Sequence, residues 1–173
     1  MQPVCQVTNS LAISNARSAC SPELLQRGAV TLCINVTRRQ PFPDTITVTR
    51  VPVSDRPDDD LYSHFDACAD AIHAEAKNGG RCLVYCKNGR SRSATICAAY
   101  LMKHQRMALA DALKKVKAAR PVIAPNPGFL AQLQRYEDEL RRRRGSHPSH
   151  ASSGDLESDT DSFYSRAVSQ EAE

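Results

Sequence analysis

One cysteine of this chain stands directly before a glycine turn and a group of positive charges. Cys86 ends the apolar run CLVYC, and the residues KNGRSRSA that follow place Lys87, Arg90 and Arg92 within six positions of the sulfur. A structural thiol gains nothing from cationic neighbours, whereas the same neighbours stabilise a thiolate. The pattern therefore indicates a nucleophile rather than a core residue.

The elements that must position this sulfur are a strand, a tight loop and a helix. The apolar run predicts a buried strand that ends at Cys86, and helical periodicity resumes near Arg92 or Ser93. A short loop that turns at Gly89 can aim successive backbone N–H groups at one point, and the following helix N-terminus adds further donors. We expect an anion site here and call residues 87–92 the phosphate loop. Its predicted phosphate-binding residues are Lys87, Asn88, Gly89, Arg90, Ser91 and Arg92.

Phosphoryl transfer to sulfur is the chemistry that these residue types support. A thiolate of Cys86 can attack phosphorus while the guanidinium of Arg92 holds two phosphoryl oxygens. The leaving oxygen needs a proton, for which Asp55 is the candidate donor, and Ser93 can stabilise the sulfur when it leaves again. Acidic loop residues are often only solvated, and three more aspartates follow at 58–60, so the assignment of the acid stays open at this point.

Strand and helix patterns alternate along the chain. Ser21, Pro22 and Gly28 predict a short capped helix, followed by a buried strand in VTLCINV and an alternating strand over 46–53 that leaves Asp55 on a loop. Further helices are predicted from the spacing of apolar residues. They carry Leu61, Phe65, Cys68 and Ile72; then Ile96, Cys97, Tyr100, Leu101 and His104; then Leu109, Leu113 and Val116; and finally Leu133, Tyr136 and Leu140 behind Asn126 and Pro127. The alternation predicts a single-domain α/β fold.

The motif also carries a resemblance. Cys86, Arg92 and the hydroxyl of Ser93 match the C-x5-R-S signature of cysteine-based protein phosphatases, and AYLMKHQ and ARPVIAPNPGFLAQLQRYEDEL resemble the small atypical dual specificity phosphatases. The similarity covers roughly residues 4–140. It implies a central, mostly parallel sheet flanked by helices and catalysis without a metal or cofactor. It also implies hydrolysis of phosphotyrosine and of phosphoserine or phosphothreonine, and a role for Asn126 in supporting the phosphate loop.

Two residues depart from the pattern of that family. Tyr85 stands where the family usually has histidine and is expected to support the loop, and Asn88 replaces a common alanine. Because tyrosine carries no charge near neutral pH, we expect low intrinsic activity. A phosphoprotein-binding module with negligible turnover is the main alternative. An RNA 5′-phosphatase of the same fold is a third, which the lack of aromatic residues among the basic ones disfavours.

Charge and cysteine usage bound the remaining possibilities. Residues 1–144 carry 22 Lys+Arg against 13 Asp+Glu, a net charge of +9, whereas residues 145–173 carry one Arg and six acids, a net charge of −5. We expect a catalytic domain over 1–144 and a disordered acidic tail over 145–173. Seven cysteines without paired metal-ligand spacing, and no apolar run of membrane-spanning length, predict a cytoplasmic protein, with the nucleus as a second location. Phosphoproteins are the expected partners, nucleic acid is not, and the oligomeric state is open.

Overall fold

The computed structural model describes residues 4–145 of the 173-residue chain, and its centre is a five-stranded sheet. The order of the strands across the sheet is β1-β2-β5-β3-β4. The strands are β1 (Val4–Thr8), β2 (Leu11–Asn15), β3 (Leu32–Asn35), β4 (Thr47–Arg50) and β5 (Cys82–Cys86).

Three of the four strand pairings are parallel, which confirms the expected mostly parallel sheet. Only β1 runs antiparallel, paired with β2 through a tight hairpin. In the centre, β5 lies between β2 and β3 and pairs Tyr85 with Ser14 on one side and with Asn35 on the other. Because the carboxyl ends of parallel strands lie at the same edge, the residues that follow β2, β3, β4 and β5 meet beside Cys86.

Helices cover both faces of the sheet. The helices are α1 (Ala16–Ala19), α2 (Pro22–Arg27), α3 (Phe65–Lys77), α4 (Arg92–His104), α5 (Leu109–Ala119) and α6 (Pro127–Arg143). On one face, Val84 shares a large buried cluster with apolar residues of α3, α4, α5 and α6. On the other face, Leu83 and Tyr85 pack in a smaller cluster with residues of α1 and α2. Every residue of β5 is buried, as its continuous apolar run predicted.

Two of the predicted helix starts are confirmed by their caps. The Ser21 hydroxyl accepts the backbone N–H of Leu24 and caps α2, which has Pro22 at its first position. The side-chain oxygen of Asn126 accepts the N–H of Phe129 at 2.9 Å and caps α6. Both caps satisfy N–H groups that the first helical turn leaves without a partner.

Other boundaries differ from the prediction. The helix expected from Leu61 begins only at Phe65, because residues Tyr62–His64 form a 3-10 turn that the Asp60 carboxylate closes by accepting the N–H of Ser63. The strand expected over 46–53 is shorter, since the ladder ends before Pro52, which has no N–H to donate. Of the acidic tail predicted over 145–173, residues 146–173 lie outside the described residues.

Candidate active site

Cys86 lies at the carboxyl end of the central strand. Its side chain is 2% exposed, and its Sγ lies 3.1 Å from the hydroxyl of Ser93. Ser93 is the second residue of α4, so the first turn of that helix reaches the sulfur. The predicted strand, loop and helix are therefore present, with the thiol at their junction and a hydroxyl within hydrogen-bonding distance.

The backbone carbonyls of the phosphate loop are held by groups around the loop. Five consecutive carbonyl oxygens accept hydrogen bonds, which turns them toward their partners and leaves the N–H groups on the opposite side of the chain. The carbonyl of Lys87 accepts from Ala16 N at 3.2 Å, and that of Arg90 accepts from Ala124 N at 2.7 Å. The carbonyls of Asn88 and Gly89 accept from Nη2 and Nε of Arg120, at 3.0 Å and 2.7 Å. The carbonyl of Ser91 accepts from Thr95 Oγ1 at 2.8 Å. A loop held in this way is suited to bind an anion with its N–H groups.

Gly89 allows the turn, and Arg120 lies against it. The φ of Gly89 is +65°, and a Cβ there would lie 2.8 Å from the Ser14 carbonyl carbon and 2.9 Å from Arg120 Nε. Arg120 is only 8% exposed, so its guanidinium adds a buried positive charge behind the loop. Sequence reasoning missed Arg120, since nothing in its surroundings at the end of α5 indicates a partner 31 residues away.

Arg92 connects the phosphate loop to the segment that carries Asp55. Its Nη1 donates to the carbonyl of Val53 at 2.9 Å. Its Nε is buried, and among residues 4–145 it has no hydrogen-bond partner. A buried donor without a partner is unfavourable, so this N–H is available for an oxygen of a bound phosphate.

Asn126 joins three parts of the site. Its Nδ2 donates to Asp55 Oδ1 at 2.9 Å, and its backbone N–H donates to Ser91 Oγ at 3.0 Å. Its Oδ1 meanwhile caps α6. The residue that sequence placed as a cap and loop support thus also positions the candidate acid, and Oδ2 of Asp55 remains for a proton.

The loop that carries Asp55, here called the acid loop (residues 51–61), is fastened to α6. The Asp59 carboxylate accepts the N–H of Ser54 at 2.8 Å, and Gln132 of α6 bonds the carbonyl of Asp59 and the N–H groups that follow it. At Gly128 a Cβ would lie 1.9 Å from the carbonyl oxygen of Pro57, so only glycine permits this approach. Gln132 and Gly128 are further supports that sequence reasoning did not assign.

The other aspartates near Asp55 have their own partners. Asp58 forms an exposed ion pair with Arg56 at 3.3 Å. A backbone hydrogen bond from Ser63 is the main cause that lowers the pKa of Asp60. Of the four aspartates of the acid loop, Asp55 is the one that Asn126 links to the phosphate loop.

Tyr85 faces away from the sulfur. Its hydroxyl donates to the carbonyl of Pro41 at 2.8 Å, and its ring belongs to the cluster on the face of α1 and α2. Neighbouring strand residues point to opposite faces, so the ring and the Cys86 side chain lie on opposite sides of β5. Burial raises the pKa of the Tyr85 phenol above its usual range, so the side chain is neutral. The hydroxyl of Tyr85 therefore supports the segment after β3 rather than residues 87–92, where support by Tyr85 was predicted.

The remaining loop side chains are exposed. Lys87, Asn88 and Arg90 point to solvent, and Arg90 Nε donates to the carbonyl of Val122 at 3.2 Å. Asn88 thus contributes to the phosphate loop through its backbone, whose carbonyl Arg120 binds, rather than through its side chain. Lys87 and Arg90 leave positive charge at the rim of the site.

The comparisons with known proteins fit this geometry. The family model for the catalytic domain of dual specificity phosphatases matches residues 12–139, which include the phosphate loop, the acid loop and Asn126. The chain belongs to the dual specificity phosphatase family. Human dual specificity phosphatase 28 is 51% identical over 141 residues, which cover 80% of this chain and 80% of the human protein.

Solved structures of the family share the whole described domain. The crystal structure of human DUSP28 has a TM-score of 0.79 and 50% identity, and covers 82% of this chain and 97% of that one. A tyrosine-to-histidine variant of the human protein has a TM-score of 0.81 and 48% identity, with 83% and 99% covered. A mouse dual specificity phosphatase complexed with zinc tungstate has a TM-score of 0.80 and 50% identity, with 82% and 91% covered. These relatives confirm the fold and the protein phosphatase function.

Four of the other cysteines of this phosphatase domain fill its core. Cys33, Cys68, Cys82 and Cys97 are buried, as expected, and burial raises the pKa of Cys33 and of Cys68 to about 12. All seven cysteines are free thiols.

Among residues 4–145, no group of three His, Cys, Asp or Glu side chains is arranged to hold a metal ion, and no helix is long and apolar enough to cross a membrane.

Proposed function

We propose that the protein hydrolyses phosphotyrosine, phosphoserine and phosphothreonine in phosphoproteins through a phosphocysteine intermediate on Cys86. The observation that carries the proposal is the junction of β5 and α4. There the Cys86 thiol lies 3.1 Å from the Ser93 hydroxyl, beside a phosphate loop whose carbonyls bond to groups around it. Family membership supports the reaction class.

In the first step the Cys86 thiolate attacks phosphorus, and the bond from phosphorus to the ester oxygen breaks. Arg92 and the loop N–H groups hold the other phosphoryl oxygens as their charge is redistributed. Asp55 donates its proton to the leaving alkoxide or phenoxide, which departs as the free hydroxyl. The bond from Asn126 to Asp55 Oδ1 holds the carboxyl in place for this transfer.

In the second step water attacks the phosphocysteine, and the bond from phosphorus to sulfur breaks. The Asp55 carboxylate takes the proton of the attacking water, which restores the acid. The sulfur leaves as a thiolate, and the Ser93 hydroxyl can donate to it at the observed distance. Inorganic phosphate is the product.

We further propose a low intrinsic rate and a cytoplasmic location, with the nucleus as a second site. The low rate rests on Tyr85, a neutral residue where the family usually has an ionisable histidine. The location rests on cysteine usage, since seven free thiols and no disulfide are typical of proteins in a reducing compartment.

A replacement of the nucleophile tests the function. Wild type and Cys86→Ser are compared on a small aryl phosphate and on matched phosphotyrosine and phosphothreonine peptides, with Cys82→Ser as the control for loss of a buried thiol. We expect Cys86→Ser to fall to the background rate while it still binds phosphate, because Arg92 and the loop N–H groups remain. Equal rates in wild type and Cys86→Ser would refute the phosphatase mechanism. If both rates lie at background, retained phosphopeptide binding would favour a binding module.

A further inference from the structure

Two exposed arginines follow the strand next to Cys86. We define the arginine loop as residues 36–46, which connect β3 to β4 and carry Arg38 and Arg39. Asn35 of β3 pairs with Tyr85 of β5 in parallel register, and the N–H of the next residue, Val36, donates to the Tyr85 carbonyl. Val36 therefore lies beside Cys86, the residue that follows Tyr85. Neighbouring strands are about 4.8 Å apart, so the arginines begin within about 10 Å of the phosphate loop.

The arginine loop is held firmly by polar contacts. Arg50 of β4 donates to the carbonyls of Thr37 and Gln40 at 3.0 Å and 2.9 Å. Asn35 donates to the Gln40 carbonyl at 3.1 Å, and Tyr85 donates to the Pro41 carbonyl at 2.8 Å. The backbone on both sides of the arginines is therefore fixed, which reduces the entropy lost when their side chains bind a ligand.

The charges of Arg38 and Arg39 are unpaired. Within residues 4–145 neither arginine forms an ion pair, although most acidic side chains of α3 and α6 do. The one acidic residue of the arginine loop is Asp44, which is exposed and lies beyond Pro43. The exposed cations Lys87 and Arg90 extend the positive surface across the phosphate loop.

We propose that Arg38 and Arg39 select phosphoprotein substrates by binding anionic groups two to four residues from the phosphorylated side chain. The spacing follows from the geometry, because an extended peptide advances about 3.3 Å per residue and the arginines lie within about 10 Å of the loop. The anionic groups are carboxylates or a second phosphate, since guanidinium forks bind both. The proposal rests on the proposed function and gives it a substrate preference.

A peptide fits this surface better than a nucleic acid does. Single-stranded nucleic acids bind through aromatic rings on which bases stack. Phe42, 45% exposed, is the large aromatic side chain of the arginine loop, and the guanidinium of Arg50 already covers its ring at 4.3 Å from the centroid. The surface therefore offers mainly charge and hydrogen-bond donors, and one face of its aromatic ring is already occupied.

The test compares two double variants that remove the same charge. Arg38→Gln/Arg39→Gln alters the arginine loop, and Arg27→Gln/Arg81→Gln alters two exposed arginines beside Cys82, at the far end of β5. Each is assayed on an aryl phosphate and on phosphotyrosine peptides whose flanks carry glutamines, glutamates or one phosphoserine, at low and high salt. The glutamate and phosphoserine peptides separate the two sources of negative charge.

We expect Arg38→Gln/Arg39→Gln to lower kcat/KM about fivefold on the anionic peptides, through KM, with no change on the aryl phosphate or the glutamine peptide. The difference should shrink at high salt, because the pairs are exposed. An equal loss in Arg27→Gln/Arg81→Gln, or an equal loss on the glutamine peptide, would overturn the proposal.

Binding to the inactive protein keeps the test independent of turnover. The dissociation constants of the same peptides are measured with Cys86→Ser alone and with both arginine substitutions added. A fivefold loss for anionic peptides alone supports recognition by Arg38 and Arg39 even if wild type proves inactive, an outcome that would refute only the phosphatase mechanism. Equal affinity of anionic and glutamine peptides for Cys86→Ser would refute the recognition proposal.

Discussion

The two ends of β5 carry the same residue type in different surroundings. Cys82 at the amino end is 0% exposed and Cys86 at the carboxyl end is 2% exposed. Both side chains lie on the face that packs against α4. Cys82 pairs with Leu11 and Leu32, and burial raises its pKa well above the usual range. Cys86 has the Ser93 hydroxyl at 3.1 Å and the phosphate loop beside it.

The difference shows that burial alone does not decide what a thiol does. Around Cys82 the chain offers apolar neighbours, so the proton stays on sulfur and the residue fills space. Around Cys86 it offers a helix N-terminus, loop N–H groups and Arg92, all of which favour negative charge. Variants at the carboxyl end should therefore change turnover with little effect on stability, and variants at the amino end should do the reverse.

The largest effect beyond the nucleophile itself is expected at the acid loop. Asp55→Asn removes the proton but keeps an oxygen that can accept the Asn126 amide, so the fold should be unchanged. We expect a loss of about 10²-fold on phosphopeptides and a much smaller loss on aryl phosphates, whose leaving groups need little protonation. The measurement is kcat/KM over a series of leaving groups, together with the urea midpoint of unfolding.

Asp58→Asn is the matched control for Asp55→Asn, because Asp58 lies on the same loop and forms an exposed ion pair with Arg56. It should retain wild-type activity on every substrate. A uniform loss across leaving groups in Asp55→Asn would assign Asp55 a structural role. A loss that depends on the leaving group in Asp58→Asn would move the acid to that residue.

The amino end of β5 should show the opposite behaviour. Cys82→Ser places a hydroxyl among apolar side chains at full burial, which should cost about 2 kcal/mol of the free energy of unfolding. Its kcat/KM should stay within about twofold of wild type, since the control affects no group of the reaction. Urea denaturation and aryl phosphate assays on the same preparation measure both. A tenfold loss of activity in a folded Cys82→Ser protein would contradict the division between the two ends.

The sequence was sufficient for the parts of the site that are local. Cys86, Arg92 and Ser93 fall within eight residues, so one strand, one turn and one helix bring them together. Asn126 was predicted as a helix cap from the sequence and as a support of the phosphate loop from the family resemblance, and Asp55 was predicted as the acid from its place after a strand and its fit to that family's pattern. What joins these segments was not predictable, because the bonds of Arg120, Gln132 and Asn126 span 31 to 73 residues and have no local pattern.

The fold shows the same division between local and distant order. The capped helices and the central strand were predicted, whereas β1 and β2 were not singled out. A signal was present there, since VCQVT and LAISN flank Asn9 and Ser10 as a two-residue turn. Strand alternation places Tyr85 on the face opposite Cys86, but the partner of its hydroxyl, Pro41, lies 44 residues away and was beyond prediction.

The smallest expected effect concerns Tyr85, which adjoins Cys86 in the chain but faces the other side of the sheet. Tyr85→Phe deletes the bond to the Pro41 carbonyl and should cost about 1 kcal/mol of the free energy of unfolding, with the aryl phosphate rate unchanged. Tyr85→His places an imidazole beside the Cys86 backbone. When protonated, this ring adds a positive charge that favours a thiolate, and we expect a rate about tenfold above wild type, equivalent to about 1.4 kcal/mol.

The pH dependence of the rate shows whether the effect of Tyr85→His comes from the charge of the imidazole or from the shape of the ring. Free imidazole has a pKa of about 6.5, so the gain of Tyr85→His should be full below that pH and should decline as the pH rises through it. Tyr85→Phe has no such group and should follow the wild-type profile. Rates on the aryl phosphate from pH 5 to pH 8 for the three proteins decide the matter. A gain in Tyr85→His that does not vary with pH, or no gain in a folded protein, would mean that the neutral ring on the far face of β5 does not limit the reaction at Cys86.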